Sequence, residues 1–85
     1  MNITQIRYVI EVADSSSMRK AATKLLVSQP ALSASIRELE EELGIRIFTR
    51  TNRGISLTDE GKKFVDDAKD VELQFDGLKN KYTVK

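Results

Sequence analysis

The sequence predicts a mainly α-helical domain of three helices and a β-hairpin, followed by a long C-terminal helix. Apolar residues recur at spacings of three and four in the first half of the chain, as on one face of a helix. The period changes to two after Gly44, which is typical of strands. After Thr58 the helical spacing returns and continues almost to the end. We expect two segments, 1–57 for the compact domain and 58–85 for the long helix.

Two short helices are predicted at the start of the chain. Asn2 can cap the first helix with Gln5 as its capping-box partner, and residues 14–17 interrupt it. Ser17 then caps a second helix, and only two residues separate that helix from the next. Helices joined so tightly must cross steeply, which is helix-turn-helix geometry. The predicted inward residues are Ile3, Ile6, Val9, Ile10, Ala13, Met18, Ala21, Ala22 and Leu25.

The third predicted helix, residues 28–43, carries the most information. Ser28 can cap it by accepting a hydrogen bond from a free N–H of the first turn, and Gly44 ends it. Pro30 lies in the first turn, where its missing N–H costs nothing. Four apolar residues at spacings of 4, 3 and 4 predict one buried face: Leu32, Ile36, Leu39 and Leu43.

The outward face of the same helix is polarised. Gln29, Ser33 and Arg37 recur one turn apart near its start, whereas its acidic residues lie at the far end. Because a helix N-terminus carries partial positive charge, this helix is suited to present its N-terminus to an anion, and DNA is the obvious candidate. The acidic residues are Glu38, Glu40, Glu41 and Glu42.

The middle of the chain is its basic part, although the formal net charge is only +1. Residues 17–53 hold seven basic residues against four glutamates, whereas residues 66–76 hold five acids and one lysine. A charge run of this kind favours a nucleic-acid partner but is also common on an ordinary solvated face. The seven basic residues are Arg19, Lys20, Lys24, Arg37, Arg46, Arg50 and Arg53.

A β-hairpin is predicted after Gly44. Ile45, Ile47 and Phe48 mark the first strand, in alternation with polar residues. Residues 51–54 form a turn, and Ile55 begins the return strand, which continues through Leu57. Arginines lie at and near the tip of this hairpin, as is typical of a wing.

Composition limits the classes of function. The 85 residues include no cysteine and no histidine, so the chain lacks the residues of a disulfide framework, of the usual zinc sites and of common nucleophile–base pairs. We expect no cofactor, no metal and no enzymatic activity. No apolar stretch approaches the roughly 20 residues that span a bilayer, and the N-terminus lacks a signal-peptide pattern, which favours the cytoplasm. A core of this size is marginal alone, so oligomerisation is expected.

Several spaced motifs resemble the N-terminal winged helix-turn-helix of LysR-type bacterial transcription regulators. The resemblance covers residues 1–65 without a gap, and the motifs agree in order and register. In that family a linker helix leads to an effector-binding domain, so this chain is either the DNA-binding portion of a longer regulator or a naturally short relative. The matching residues are Ala21-Ala22, Val27-Ser28-Gln29-Pro30-Ala31-Leu32-Ser33, Ile36, Leu39-Glu40, Leu43-Gly44, Phe48, Arg50, Gly54, Leu57-Thr58 and Gly61.

The resemblance implies a set of DNA-binding residues on the third helix. Gln29, Pro30 and Ser33 stand where the family meets base edges and phosphates, and Gln29 suits a bidentate contact with adenine. Many relatives carry Arg or Lys at position 34; Ala34 leaves apolar packing on a thymine methyl group or no contact. Arg37 follows on the same face, where an ion pair with Glu41 is the alternative.

Other contacts are implied outside this face. Arg53 stands at the wing tip, where it can reach the minor groove, and Arg50 can bind phosphate or pair with a carboxylate. Arg19 and Lys20 are placed for the DNA backbone at the start of the second helix. Ser28 is a helix cap on physical grounds, with any phosphate contact secondary.

The last helix carries an apolar stripe at spacings of 4, 3, 4, 3 and 4, which is typical of a coiled-coil seam. Because no other part of so small a chain is expected to cover it, a second copy should do so. The resemblance implies antiparallel pairing into a homodimer and allows a tetramer in a full-length protein. Flanking acids argue against the alternative, a membrane surface. The stripe consists of Phe64, Ala68, Val71, Phe75, Leu78 and Tyr82.

These observations predict a DNA-binding transcription regulator that binds double-stranded DNA as a dimer on an inverted repeat. A coiled-coil adaptor without nucleic acid would explain the last helix but would leave Gln29, Ser33 and Arg53 unused. An enzyme is disfavoured by composition.

Overall fold

The structure, a computed structural model, describes residues 1–83, which form four helices and one two-stranded sheet. This architecture confirms the predicted fold class. The last two residues of the predicted segment 58–85 lie outside the described residues. In chain order the elements are α1 (Ile3–Ser15), α2 (Met18–Leu25), α3 (Gln29–Leu43), β1 (Phe48–Thr51), β2 (Gly54–Leu57) and α4 (Asp59–Thr83).

The predicted caps start the first three helices. Asn2 and Gln5 form the complete capping box, with N···O distances of 2.8 and 3.1 Å. Ser17 Oγ accepts a hydrogen bond from the N–H of Lys20, and Ser28 Oγ accepts one from the N–H of Ala31. Each such cap stabilises its helix by about 1 kcal/mol. These local bonds fix where each helix begins.

The connection between α2 and α3 is as short as the sequence predicts. Leu26 ends α2 in the left-handed region with φ 61°, and the N–H of Val27 donates to the carbonyl of Ala22 at 3.0 Å. Ala21 and Ala22 are buried, so the small side chains let α2 pack closely on its neighbours. The pair α2 and α3 is therefore a helix-turn-helix.

The main hydrophobic core lies between the helices and the base of the hairpin. Leu32, Ile36 and Leu39 are buried and Leu43 packs at the core edge, which confirms the predicted inward face of α3. The largest fully buried side chains are those of Leu32, Leu39, Ile47, Val9 and Val12. The N-terminal half of α3 thereby has one face anchored in the core and one face left outside.

The first strand begins later than predicted. β1 starts at Phe48 rather than Ile45, and Ile47 and Phe48 are both buried instead of alternating between core and solvent. The alternation fails because the N–H groups of Ile47 and Phe48 donate to the carboxylate of Glu40 in α3 instead of to a partner strand. The antiparallel ladder then runs from the pair Phe48 and Leu57 to the turn.

Helix α4 starts against the core and then leaves it. Thr58 Oγ accepts a hydrogen bond from the N–H of Gly61 at 2.9 Å, and Asp59 and Glu60 follow in the first turn, as expected for a helix N-terminus. The prediction that nothing in this chain covers the apolar stripe is wrong for its first two residues. Phe64 and Ala68 pack against the first half of α1, and beyond them the stripe is exposed.

Candidate nucleic-acid interface

The three polar residues predicted to recur along the outward face of the third helix do lie on the outer face of α3. Gln29 is the first residue of the helix and is exposed, Ser33 is half-buried, and Arg37 is exposed one turn further on. Within residues 1–83 no hydrogen bond engages the side-chain amide of Gln29. Its donor and acceptor are therefore both available to a base edge, which presents the complementary pair on adenine.

The residues around the start of α3 have two kinds of role. Ser28 Oγ is occupied in capping, 3.2 Å from the N of Ala31, which confirms its structural role. Pro30 and Ala34 are exposed and offer only apolar surface. An exposed methyl group at position 34 can pack on a thymine methyl, but it can make no polar contact.

Arg37 faces a groove between α3 and the first strand. Ser33 and Arg37 line one side of this groove and Thr49 and Arg50 the other, with Arg46 at the loop that joins them. Within residues 1–83 no ion pair joins Arg37 to Glu41 at 4.0 Å or less, so the alternative use of Arg37 is not realised. Arg46 was not predicted as a site residue, although the basic run included it.

The wing tip holds Arg53 away from the core. The N–H of Arg53 donates to Thr51 Oγ at 3.2 Å, and Gly54 takes φ 121°, a conformation that favours glycine. The side chain of Arg53 is exposed, and that of Arg50 is exposed opposite Ile55 in the ladder. A basic side chain carried on a narrow turn in this way can enter a DNA groove.

Most of the seven residues of the basic run form no ion pair with another described residue. Among residues 1–83, Lys24 is the one member of the seven that forms an ion pair, 3.8 Å from Glu11. The other six are exposed, including Arg19 and Lys20 in the first turn of α2. Exposed cations that form no ion pair are available to attract phosphate.

The second half of α4 presents the exposed part of the apolar stripe. Its exposed fractions are 45% at Val71, 40% at Phe75, 62% at Leu78 and 67% at Tyr82. Arg7 of α1 holds this part of the helix, because its guanidinium lies 2.8 Å from the carboxylate of Asp76 and 5.2 Å from the ring centroid of Phe75. No helix within residues 1–83 is both long and apolar enough to cross a membrane.

A tight helix pair on a three-helix core, followed by a hairpin with a basic tip, defines a winged helix-turn-helix domain. The family model of bacterial regulatory helix-turn-helix proteins of the lysR family matches residues 3–62, and the chain belongs to this family.

Named relatives in this family are transcription regulators. The HTH-type transcriptional regulator TfdT of Cupriavidus pinatubonensis is 42% identical over 69 residues, which are 81% of this chain and 30% of TfdT. The DNA-binding transcriptional dual regulator OxyR of Escherichia coli K12 is 40% identical over 79 residues, which are 93% of this chain and 26% of OxyR. The chain thus spans about a quarter to a third of the length of these curated relatives.

Solved structures of similar domains include DNA complexes. The DNA-binding domain of BenM with benA site 1 DNA has a TM-score of 0.88 at 38% identity, over 92% of this chain and 91% of that one. The DNA-binding domain of CbnR with DNA has a TM-score of 0.86 at 37% identity, over 95% of this chain and 92% of that one. The chain is therefore similar over nearly its whole length to domains solved on DNA.

Proposed function

We propose that this chain is the DNA-binding portion of a transcription regulator and binds an inverted repeat in double-stranded DNA as a homodimer. The observation that carries the proposal is the free polar row on α3, which begins with the unengaged amide of Gln29 at the helix N-terminus. The similarity to the BenM and CbnR domains supports DNA as the ligand. The function is binding without catalysis, and its place is the bacterial cytoplasm, where chromosomal DNA lies.

Each part of the surface has a distinct task in this proposal. Gln29 and Ser33 read base edges in the major groove, while Pro30 and Ala34 add apolar contact there. Arg53 enters the adjacent minor groove, where a narrow A·T-rich segment concentrates negative potential. Phosphate contacts supply the salt-dependent, sequence-independent part of the affinity. These contacts come from Lys20, Ser28, Arg37 and Arg50.

Dimerisation is assigned to α4. Four apolar side chains, Val71, Phe75, Leu78 and Tyr82, are exposed along one face of the helix beyond the core. A second copy of the same helix, lying antiparallel, would remove them from water on both chains. Phe64 and Ala68 belong to the same predicted stripe and continue it into the core of each protomer. A tetramer in a longer protein stays a prediction.

The proposal is tested by selection of bound duplexes from a random pool, followed by fluorescence anisotropy on the enriched sequence. We expect enrichment of two inverted half-sites and an affinity that falls steeply as salt is raised, because phosphate contacts release counterions. Equal affinity for the enriched and the starting duplexes would contradict sequence-specific binding. An adaptor without a nucleic-acid function would bind neither.

A further inference from the structure

Glu40 differs from the other glutamates at the end of α3. Glu38, Glu41 and Glu42 are exposed, whereas Glu40 is half-buried. One of its carboxylate oxygens, Oε2, accepts hydrogen bonds from the N–H groups of Ile47 at 2.7 Å and Phe48 at 3.3 Å. Hydrogen bonds to an ionised acceptor are about twice as strong as neutral ones. Helix α3 therefore holds the first residues of the wing through the side chain of Glu40.

The opposite side of Ile47 is fixed as well. Its carbonyl accepts a hydrogen bond from the N–H of Thr58 at 3.0 Å, at the start of α4. Gly61 lies so close to this carbonyl that a Cβ atom there would overlap it. The peptide groups at the base of the wing are thus held between α3 and α4, and Glu40 supplies the contact on the side of α3.

The wing contacts the core through Phe48, Ile55 and Leu57, and its tip extends beyond these residues. Within residues 1–83 β1 pairs with β2 alone, over four residue pairs from Phe48 and Leu57 to Thr51 and Gly54. Four residues of strand extend about 13 Å, so a tilt of about 10° at the base moves the tip by about 2 Å. A minor groove is only about 6 Å wide. The fit of Arg53 in the groove therefore depends on how the base is held.

We propose that Glu40 is a positioning residue that sets the orientation of the wing relative to α3 and acts on DNA through Arg53. This inference rests on the proposed function, because it requires Arg53 to contact DNA. Glu40 itself stays off the DNA in this proposal, since its negative charge repels phosphate and its Oε2 atom is engaged at the base of the wing.

A double-mutant cycle of Glu40→Ala and Arg53→Ala tests the proposal. The 85-residue chain is titrated with the selected duplex carrying either A·T-rich or G·C-rich flanks, at a temperature where circular dichroism shows every variant to be folded. We expect Glu40→Ala to weaken binding on the order of tenfold on the A·T-rich flank and much less on the other. In the Arg53→Ala background, Glu40→Ala should weaken DNA binding little further, because the contact that Glu40 positions is already absent.

Two variants separate positioning from charge and from stability. Glu40→Gln keeps an oxygen acceptor without the charge and should retain the preference for the A·T-rich flank. Glu41→Ala removes the same charge from an exposed neighbour and should leave that preference unchanged. If Glu40→Ala does not fold, Glu40→Asp replaces it in the cycle, because the shorter side chain withdraws the carboxylate and keeps the charge.

The outcomes distinguish this inference from the proposed function. Equal losses on both flanks that add to those of Arg53→Ala would overturn the positioning role and leave the wing contact in place. Loss of flank preference in Glu40→Gln as well as in Glu41→Ala would also overturn it, since charge alone would explain the effect. If Arg53→Ala changes neither flank, the proposed wing contact is wrong and the role of Glu40 fails with it.

Discussion

At the scale of a single residue, Gln29 is the side chain that the sequence predicts, and the structure leaves available, for base recognition. It is the first residue of α3, it is exposed, and within residues 1–83 its amide makes no hydrogen bond. A side chain with no structural task is free for recognition. This separates it from Ser28, whose hydroxyl is used in the fold.

Replacing Gln29 by alanine should leave stability nearly unchanged and reduce discrimination at one base pair in each half-site by about 1–3 kcal/mol. The measurement is the affinity for a set of duplexes in which each base pair of the selected site is varied in turn. Gln74→Ala, at an exposed position of α4, is the matched control and should preserve every preference. An unchanged profile for Gln29→Ala would remove this residue from base recognition.

Two glycines of α4 provide a second test at the residue scale. A Cβ atom at Gly61 would overlap the carbonyl of Ile47, whereas one at Gly77 would meet nothing within 4 Å. We expect Gly61→Ala to lower the free energy of unfolding by about 1–3 kcal/mol, as overpacking does. Gly77→Ala should raise it by about 0.5–1 kcal/mol, because alanine favours the helix. Urea unfolding of both variants checks the opposite signs, and equal signs would contradict the close approach of α4 to the wing.

At the scale of elements, the helix boundaries could be predicted because their causes are local. Asn2, Ser17 and Ser28 bind N–H groups three residues ahead, and Gly44 ends α3 with φ 69°. The start of the first strand could not be predicted in the same way. It depends on the carboxylate of Glu40, seven residues before Ile47 and eight before Phe48, which resembled an ordinary surface acid in the sequence.

The candidate site likewise has features that follow from local sequence and features that depend on packing between elements. The row on α3 followed from helical spacing, and the position of Arg53 followed from its turn. The groove that brings Arg46 and Arg50 to the same side as Arg37 could not be foreseen, because it requires the packing of β1 beside α3. Relations within one element, and the tight connection of α2 to α3, were readable from the sequence, whereas the packing of the wing beside α3 and of α4 against α1 was not.

Substitutions at Ser28, the cap of α3, can separate effects on stability from effects on DNA binding. Ser28→Asp should keep thermal stability, because a carboxylate can accept from the N–H of Ala31 and suits the positive end of the helix. The same change should weaken DNA binding at low salt, because the new charge would repel nearby phosphate. Thermal unfolding and anisotropy measure the two effects, with Ser28→Asn as the uncharged capping control. Equal affinities of the two variants would place Ser28 away from the DNA.

At the scale of the whole molecule, α4 is both part of the core and an extension from it. The structure measures 49 × 25 × 20 Å, and the long dimension exceeds that of a compact three-helix domain because α4 continues beyond the core. The sequence predicted the stripe but could not show that α1 covers Phe64 and Ala68. The part left exposed, from Val71 to Tyr82, is what the proposed homodimer would bury.

Replacing Val71 and Phe75 together by aspartate should dissociate the proposed dimer and leave the domain folded. The two charges would enter an apolar stripe beside an acidic surface, while Arg7 keeps its ion pairs with Glu72 and Asp76. Leu73→Asp is the matched control, because Leu73 is 71% exposed and lies outside the predicted stripe. Sedimentation velocity should show a monomer for the double variant and a dimer for the control.

The most direct test of the account is the ratio of affinities for the full inverted repeat and for an isolated half-site, measured for the unmodified chain and for the double variant. Tethering two binding events typically raises affinity by about 10² to 10⁴. We predict a ratio in this range for the unmodified dimer and a ratio near one for the double variant, whose affinity for the half-site should be unchanged. A monomeric double variant that binds the full repeat as tightly as the unmodified chain would contradict the paired binding of two half-sites.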